Sequence, residues 1–93
     1  MIKVSGHEFH RGGVQIGFIS DEWIKDRHGD RIGYYLDTRI FDKSGHKLAY
    51  LQNDYIHFTD SSKKIRIEDN NQEVVGGDLN NIQRAAARVL FGE

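Results

Sequence analysis

The chain has 93 residues and a mass of 10.7 kDa, with 38% hydrophobic and 29% charged residues, so it reads as a single globular domain over 1–93 rather than a disordered segment. Thirteen Lys and Arg against fourteen Asp and Glu leave a net charge of -1, which argues against a chain-wide attraction to nucleic acid or an anionic membrane. The absence of cysteine excludes disulfide scaffolds, thiol catalysis and Cys-based zinc sites. No apolar run approaches the roughly 18 residues of a membrane span, and Met1-Ile2-Lys3 opens no secretory signal, so a cytoplasmic protein with no membrane partner is expected.

In chain order, the first sixteen residues are irregular, with Gly13 and Ile16 as traces of a repeat. Three units then recur at a spacing of 16: GFISDEWIKDRHGDRI (17–32), GYYLDTRIFDKSGHKL (33–48) and AYLQNDYIHFTDSSKKI (49–65), the last with one insertion. Each unit opens on Gly17-Phe18, Gly33-Tyr34 or Ala49-Tyr50 and carries Ile24, Ile40 or Ile56 at the same offset. Alternation at Val14-Ile16-Phe18, Ile32-Tyr34-Leu36, Leu48-Tyr50 and Ile65-Ile67 predicts strands with those residues on the core face. The second strand of each unit is shorter, around Trp23-Ile24-Lys25, Arg39-Ile40-Phe41 and Tyr55-Phe58, so each unit amounts to one hairpin.

The turns alternate in chemistry. Asp26-x-x-Gly29 and Asp42-x-x-Gly45 place a capping Asp first and a Gly fourth, which predicts a type I turn followed by a left-handed Gly. The intervening turns fall at Ser20-Asp21, Asp37-Thr38 and Asn53-Asp54, which predicts a meander of tight reversals. Residues 66–77 read as a partial last unit. After Gly76-Gly77 the period changes: Leu79, Ile82, Ala86, Val89 and Leu90 mark one face of a C-terminal helix over about 78–91, with Asp78 as N-cap, Arg84 and Arg88 on its polar side and Gly92 as its end. The predicted fold is mainly β, with antiparallel hairpin repeats over about 1–76 and one helix docked on them.

The motif (G/A)-(F/Y)-x-x-(D/N)-x-x-I-x-D-x-x-G-x-(I/L), read at 17–32 and 33–48 and degenerating at 49–65, resembles the four-fold beta flower proteins of bacteria and their phages. The terminal LNNIQRAAARVLFG is similar to the end of that family, and the likeness spans roughly residues 13–92. It implies hairpin petals about a pseudo-four-fold axis. It implies no activity and no catalytic residue.

Candidate chemistry is sparse. Asp26 and Asp42 are accounted for as turn caps, and Asp21, Asp37 and Asp54 as solvated turn residues. His7-x-x-His10 lacks the ligands of a metal site, and Gly12-Gly13 and Gly76-Gly77 match no phosphate-loop pattern. Arg31, Lys47, Lys63, Lys64 and Arg66 read as a solvated face. Tyr34 and Tyr50 are assigned to the core. Trp23, Tyr35 and Tyr55 fall out of phase with the apolar residues and form the candidate binding surface. The expected function is a non-catalytic β-repeat binding or interaction module, with no cofactor, no metal and no nucleic acid. Its expected partner is a second copy of itself, through a two-fold contact, or another protein. The alternative is a binder of a nucleotide- or sugar-like small molecule, serving as a phage-borne sponge or inhibitor of host defence.

Overall fold

The computed structural model describes residues 1–92. Its chain is mainly β, with ten strands in a single sheet: β1 (Ile2–Ser5), β2 (Glu8–Arg11), β3 (Val14–Ser20), β4 (Trp23–Asp26), β5 (Arg31–Leu36), β6 (Arg39–Asp42), β7 (Lys47–Gln52), β8 (Tyr55–Phe58), β9 (Lys64–Arg66) and β10 (Val74–Val75). Strands β1 to β9 follow one another as an antiparallel meander. Strand β10 pairs with β1, in parallel, through Ile2 opposite Val74 and Lys3 opposite Val75. Two helices complete the described residues, α1 (Ile67–Glu73) and α2 (Asn81–Phe91).

The D-x-x-G turns have the geometry their residues dictate. One carboxylate oxygen of Asp26 accepts from the amides of His28 and Asp30 at 2.9 and 3.0 Å, and the Gly29 amide donates to the Asp26 carbonyl at 3.0 Å. Asp42 does the same for Ser44 and His46 at 2.8 and 3.0 Å, with Gly45 closing at 3.0 Å. Gly29 and Gly45 have φ of 88° and 90°, which a side chain resists. The tight reversals bring Asp21, Asp37, Asn53 and Asp54 into positive φ, a region Asp and Asn tolerate.

Beside each D-x-x-G turn the register slips. Ile24 pairs with Gly33 and Lys25 with Arg31, which leaves Ile32 as the extra residue; Ile40 pairs with Ala49 and Phe41 with Lys47, which leaves Leu48. The slip between Phe9 and His10 leaves Ile16 likewise. These bulges correct the expected facing. Period-two counting begun at Ile32 or Ile16 starts from a bulge residue, so it assigns the remaining strand to the wrong side. Tyr34, Tyr50, Phe18 and Leu36 lie on the outer face, and Leu36 is 53% exposed. The core face instead carries Phe9, Gly17, Ile19, Ile24, Gly33, Tyr35, Ile40, Ala49 and Ile56.

Helix α2 lies on that core face, and the small residues opening each unit are its seat. A Cβ on Gly17 would stand 2.5 Å from the Phe91 ring, and one on Gly33 would stand 2.6 Å from Leu90. Ala49, at the same offset, is fully buried. Ala85, Ala86 and Ala87 are all buried, so the helix is enclosed on more than one side, while Leu79, Ile82, Val89, Leu90 and Phe91 pack against the core. Each fully buried Ile contributes about 1.5–3 kcal/mol by apolar transfer.

The C-terminal third departs from expectation in three ways. Residues 67–73 form a helix rather than a partial hairpin; α1 joins β9 to β10, so it spans the two ends of the strand order. The cap of α2 is Asn80, not Asp78: Asn80 accepts from the Gln83 amide at 3.0 Å and the Gln83 side chain accepts from the Asn80 amide at 2.9 Å, a reciprocal capping box. Arg84 and Arg88 turn inward. Arg84 donates to the carbonyls of Val74, Leu79 and Gly77 at 2.9, 3.0 and 3.3 Å, and Arg88 donates to buried Asn70 at 3.3 Å.

Candidate functional site

Strand alternation sends every second side chain away from α2, and the outer face so formed carries rings and cations in cross-strand rows. One row crosses β4 to β7. Trp23 pairs with Tyr34, Tyr34 with Phe41 and Phe41 with Lys47. The Trp23 and Tyr34 ring centroids are 4.9 Å apart, and Tyr34 stacks on Phe41 at 4.9 Å with 14° between planes. The next row crosses β6 to β9 as Arg39, Tyr50, His57 and Lys64. Here Tyr50 stacks on His57 at 5.1 Å and 14°. Rows displaced by sixteen residues, and by seventeen at the closing lysine, thus present a ring stack ending in a cation.

Cations also lie over the rings. The Arg31 guanidinium is 4.2 Å from the Trp23 ring centroid, Lys64 Nζ is 4.5 Å from Tyr55, Lys47 Nζ is 5.2 Å from Tyr50 and Lys25 Nζ is 5.8 Å from Phe18. Each such contact adds about 0.5–1 kcal/mol at an exposed site and fixes the cation's position. Arg31, Arg39, Lys47, Lys64 and Arg66 are exposed, and the rings are half-buried. Among the strand positions of this face the carboxylate is Glu8, hydrogen-bonded to His10 at 3.0 Å, while Arg66 reaches Glu68 of α1 at 3.5 Å.

The three residues proposed from the sequence as a binding surface are not brought together. Trp23 and Tyr55 lie on the outer face. Tyr35 lies on the core face, where its hydroxyl accepts from Gln83 of α2 at 3.0 Å. Between Trp23 and Tyr55 on this face lie Tyr34 and Phe41 of the first row and Tyr50 and His57 of the second, and the sequence cue to them is the (F/Y) after each Gly or Ala.

A separate open cleft of about 730 Å³ lies at the tight-turn end, lined by His7, Ser20, Asp21, Glu22, Tyr35, Asp37 and Gln83 among others. His7 and His10 do not form a pair there, since His10 is on the outer face beside Glu8. Among the described residues, no group of three or more His, Asp or Glu is arranged to hold a metal ion. No helix among them is long and apolar enough to cross a membrane. Gly76 and Gly77 press against Val4 rather than opening an anion loop; a Cβ on Gly76 would stand 2.7 Å from the Val4 carbonyl. The Asp42 carboxyl is held below the ordinary carboxylate range, chiefly by the His46 amide; partial burial opposes this, and the Ser44 amide and the His46 ring add to it.

No protein-family model matches the chain, and no curated protein or solved structure matches it.

Proposed function

We propose that the protein is a non-catalytic binding module whose working surface is the outer face of the sheet. The observation that carries this reading is the sorting of rings and cations onto the face that α2 leaves to solvent. The recurrent carboxylates Asp26 and Asp42 are engaged by turn amides, which supports a structural rather than catalytic role for them. The beta flower likeness and a cytoplasmic setting belong to the same proposal. The partner of such a face carries negative charge, because Coulomb attraction between cations and a polyanion steers and holds it. The near-neutral total charge conceals this sorting.

Retention on a heparin column at low salt tests the reading. The native protein is expected to bind and to elute with rising salt, and the triple variant Arg31→Glu, Lys47→Glu, Lys64→Glu to flow through while keeping its β signal by circular dichroism. Equal retention of the two would remove the outer face as the working surface.

The self-association expected from the sequence rested on unblunted sheet edges and on Trp23, Tyr35 and Tyr55 exposed together. With α1 running between the two terminal strands, and like charges on the outer face opposing a second copy, we propose a monomeric working unit. The tight-turn cleft favours the second reading, a small polar ligand held by Tyr35, Gln83 and the turn carboxylates. A phage-borne sponge or inhibitor of host defence would be that reading's setting. Shifts of the Tyr35 and Gln83 amide resonances on adding a panel of nucleotides and sugars would support it, and an unperturbed spectrum at millimolar ligand would end it.

A further inference from the structure

We infer that the polyanion recognised by the outer face is a single-stranded nucleic acid. The inference rests on the outer-face reading above and goes beyond it to the partner's chemistry. Charge alone fits any polyanion, but this face alternates charge with planar groups. Trp23, Tyr34 and Phe41 form one continuous row of rings, and Tyr50 with His57 forms the next. Exposed cations border those rows: Arg31 beside Trp23, Lys47 beyond Phe41 and Lys64 beyond His57.

Arg31, Lys47 and Lys64 stand on β5, β7 and β9, each two strands from the next. At about 4.8 Å between strands, they form a track with a step of about 9–10 Å across the sheet. A flexible phosphate backbone can follow such a track while its unpaired bases lie across the edges of the rings, whose faces are taken up by one another and by Arg31. Edge-to-face contact of this kind is tolerant of sequence because every base has a π face. A duplex hides its base faces inside the stack and leaves the rings unused. An acidic protein surface supplies carboxylates but no series of planar groups. The sheet is also a rigid support for the rings, since their backbone is paired on both sides in β4 to β8.

The test uses the full chain and its single tryptophan, which lies in the first row. Intrinsic fluorescence is titrated with a 12-nucleotide single-stranded DNA and a 12-nucleotide RNA at several salt concentrations, beside a hairpin duplex and heparin. The expected result is quenching of Trp23 by the single strands, with a linear fall of log affinity against log salt. The triple variant Arg31→Ala, Lys47→Ala, Lys64→Ala changes only exposed side chains and should fold. It is expected to reduce the magnitude of that salt slope by about 2, since each phosphate contact on a single strand contributes about 0.7. Tyr34→Leu is expected to weaken single-strand binding about tenfold while leaving heparin retention unchanged. Heparin binding without single-strand binding, or single-strand affinity indifferent to Tyr34→Leu, overturns the nucleic-acid inference and leaves the outer-face reading standing. Failure of heparin and single strands alike overturns both.

Discussion

The two faces of the sheet reverse the usual association of size with burial. The outer face carries Trp23, Tyr34, Phe41, Tyr50 and Tyr55, while the core face gives up three positions to Gly17, Gly33 and Ala49. The difference teaches that a sheet face is defined by what lies on it. The core face must admit a helix whose Leu90 and Phe91 descend to the backbone, so its repeated small residues are vacancies shaped for α2. The outer face has no such occupant, and large rings there bury area against one another across the strands.

That contrast can be broken most sharply by deletion on each side. Ile40→Ala, at a fully buried core position, is expected to cost about 3–4 kcal/mol, whereas Tyr34→Ala on the outer face is expected to cost about 1 kcal/mol. Urea unfolding of the two variants measures the gap, and equal losses would erase the distinction between the faces. Filling a vacancy comes next. Gly33→Val drives a branched side chain against Leu90 and the Phe41 carbonyl and is expected to cost about 2–3 kcal/mol, read as a lower denaturation midpoint. A stability unchanged by that substitution would mean α2 does not press on Gly33.

Smaller effects sharpen the contrast at the sheet's rim. Gly45→Val places a β-branched residue at φ 90° and is expected to lower stability by about 2 kcal/mol, a shift in thermal midpoint of roughly 8–16 °C for a domain this size. The smallest effect is electrostatic. The Asp42 carboxyl titrates below its unfolded value of 3.8, so the stability it adds is present above that pH and is lost as pH falls through the lower folded value. Asp42→Asn keeps an acceptor for the turn amides but no charge. Thermal melts of the native protein and this variant should therefore differ most near neutral pH and converge below pH 3.8. A constant difference across that range would assign Asp42 a purely steric role.

Much of this fold was legible in the chain, for definite reasons. The D-x-x-G turns were readable because an Asp side chain and a left-handed Gly satisfy specific amides locally, with no help from distant residues. The strand spans came from those turns, and the helix over Leu79 to Leu90 from its own period. The facing was not readable. Both sides of β5 carry a tyrosine, and the bulge at Ile32 inverts the phase within one residue. Helix α1 gave no periodic signal, because IEDNNQE has one apolar residue. The N-cap was present as Asn80-x-x-Gln83, but Asp78, an equally good capping residue two positions earlier, masked it. The candidate site suffered from the same inversion. Trp23 and Tyr55 are legible as outer-face rings, whereas the inverted phase puts Tyr35 with them and sends Tyr34 and Tyr50 to the core.

The parallel pair between β1 and β10 spans the largest sequence separation of any strand pair in the sheet. Strands β1 to β9 join neighbours in sequence, so their hairpins need only short loops to close. The Ile2–Val74 pair joins residues 72 positions apart (74 minus 2), and α2 comes after it in the chain. The local hairpins therefore carry the lower closure cost, and the Ile2–Val74 pair is expected to form after them. Val74, fully buried at this junction, is expected to be structured late: stopped-flow measurements on Val74→Ala should show faster unfolding with the folding rate nearly unchanged. The closing strand is then expected to govern the unfolding rate more than the folding rate.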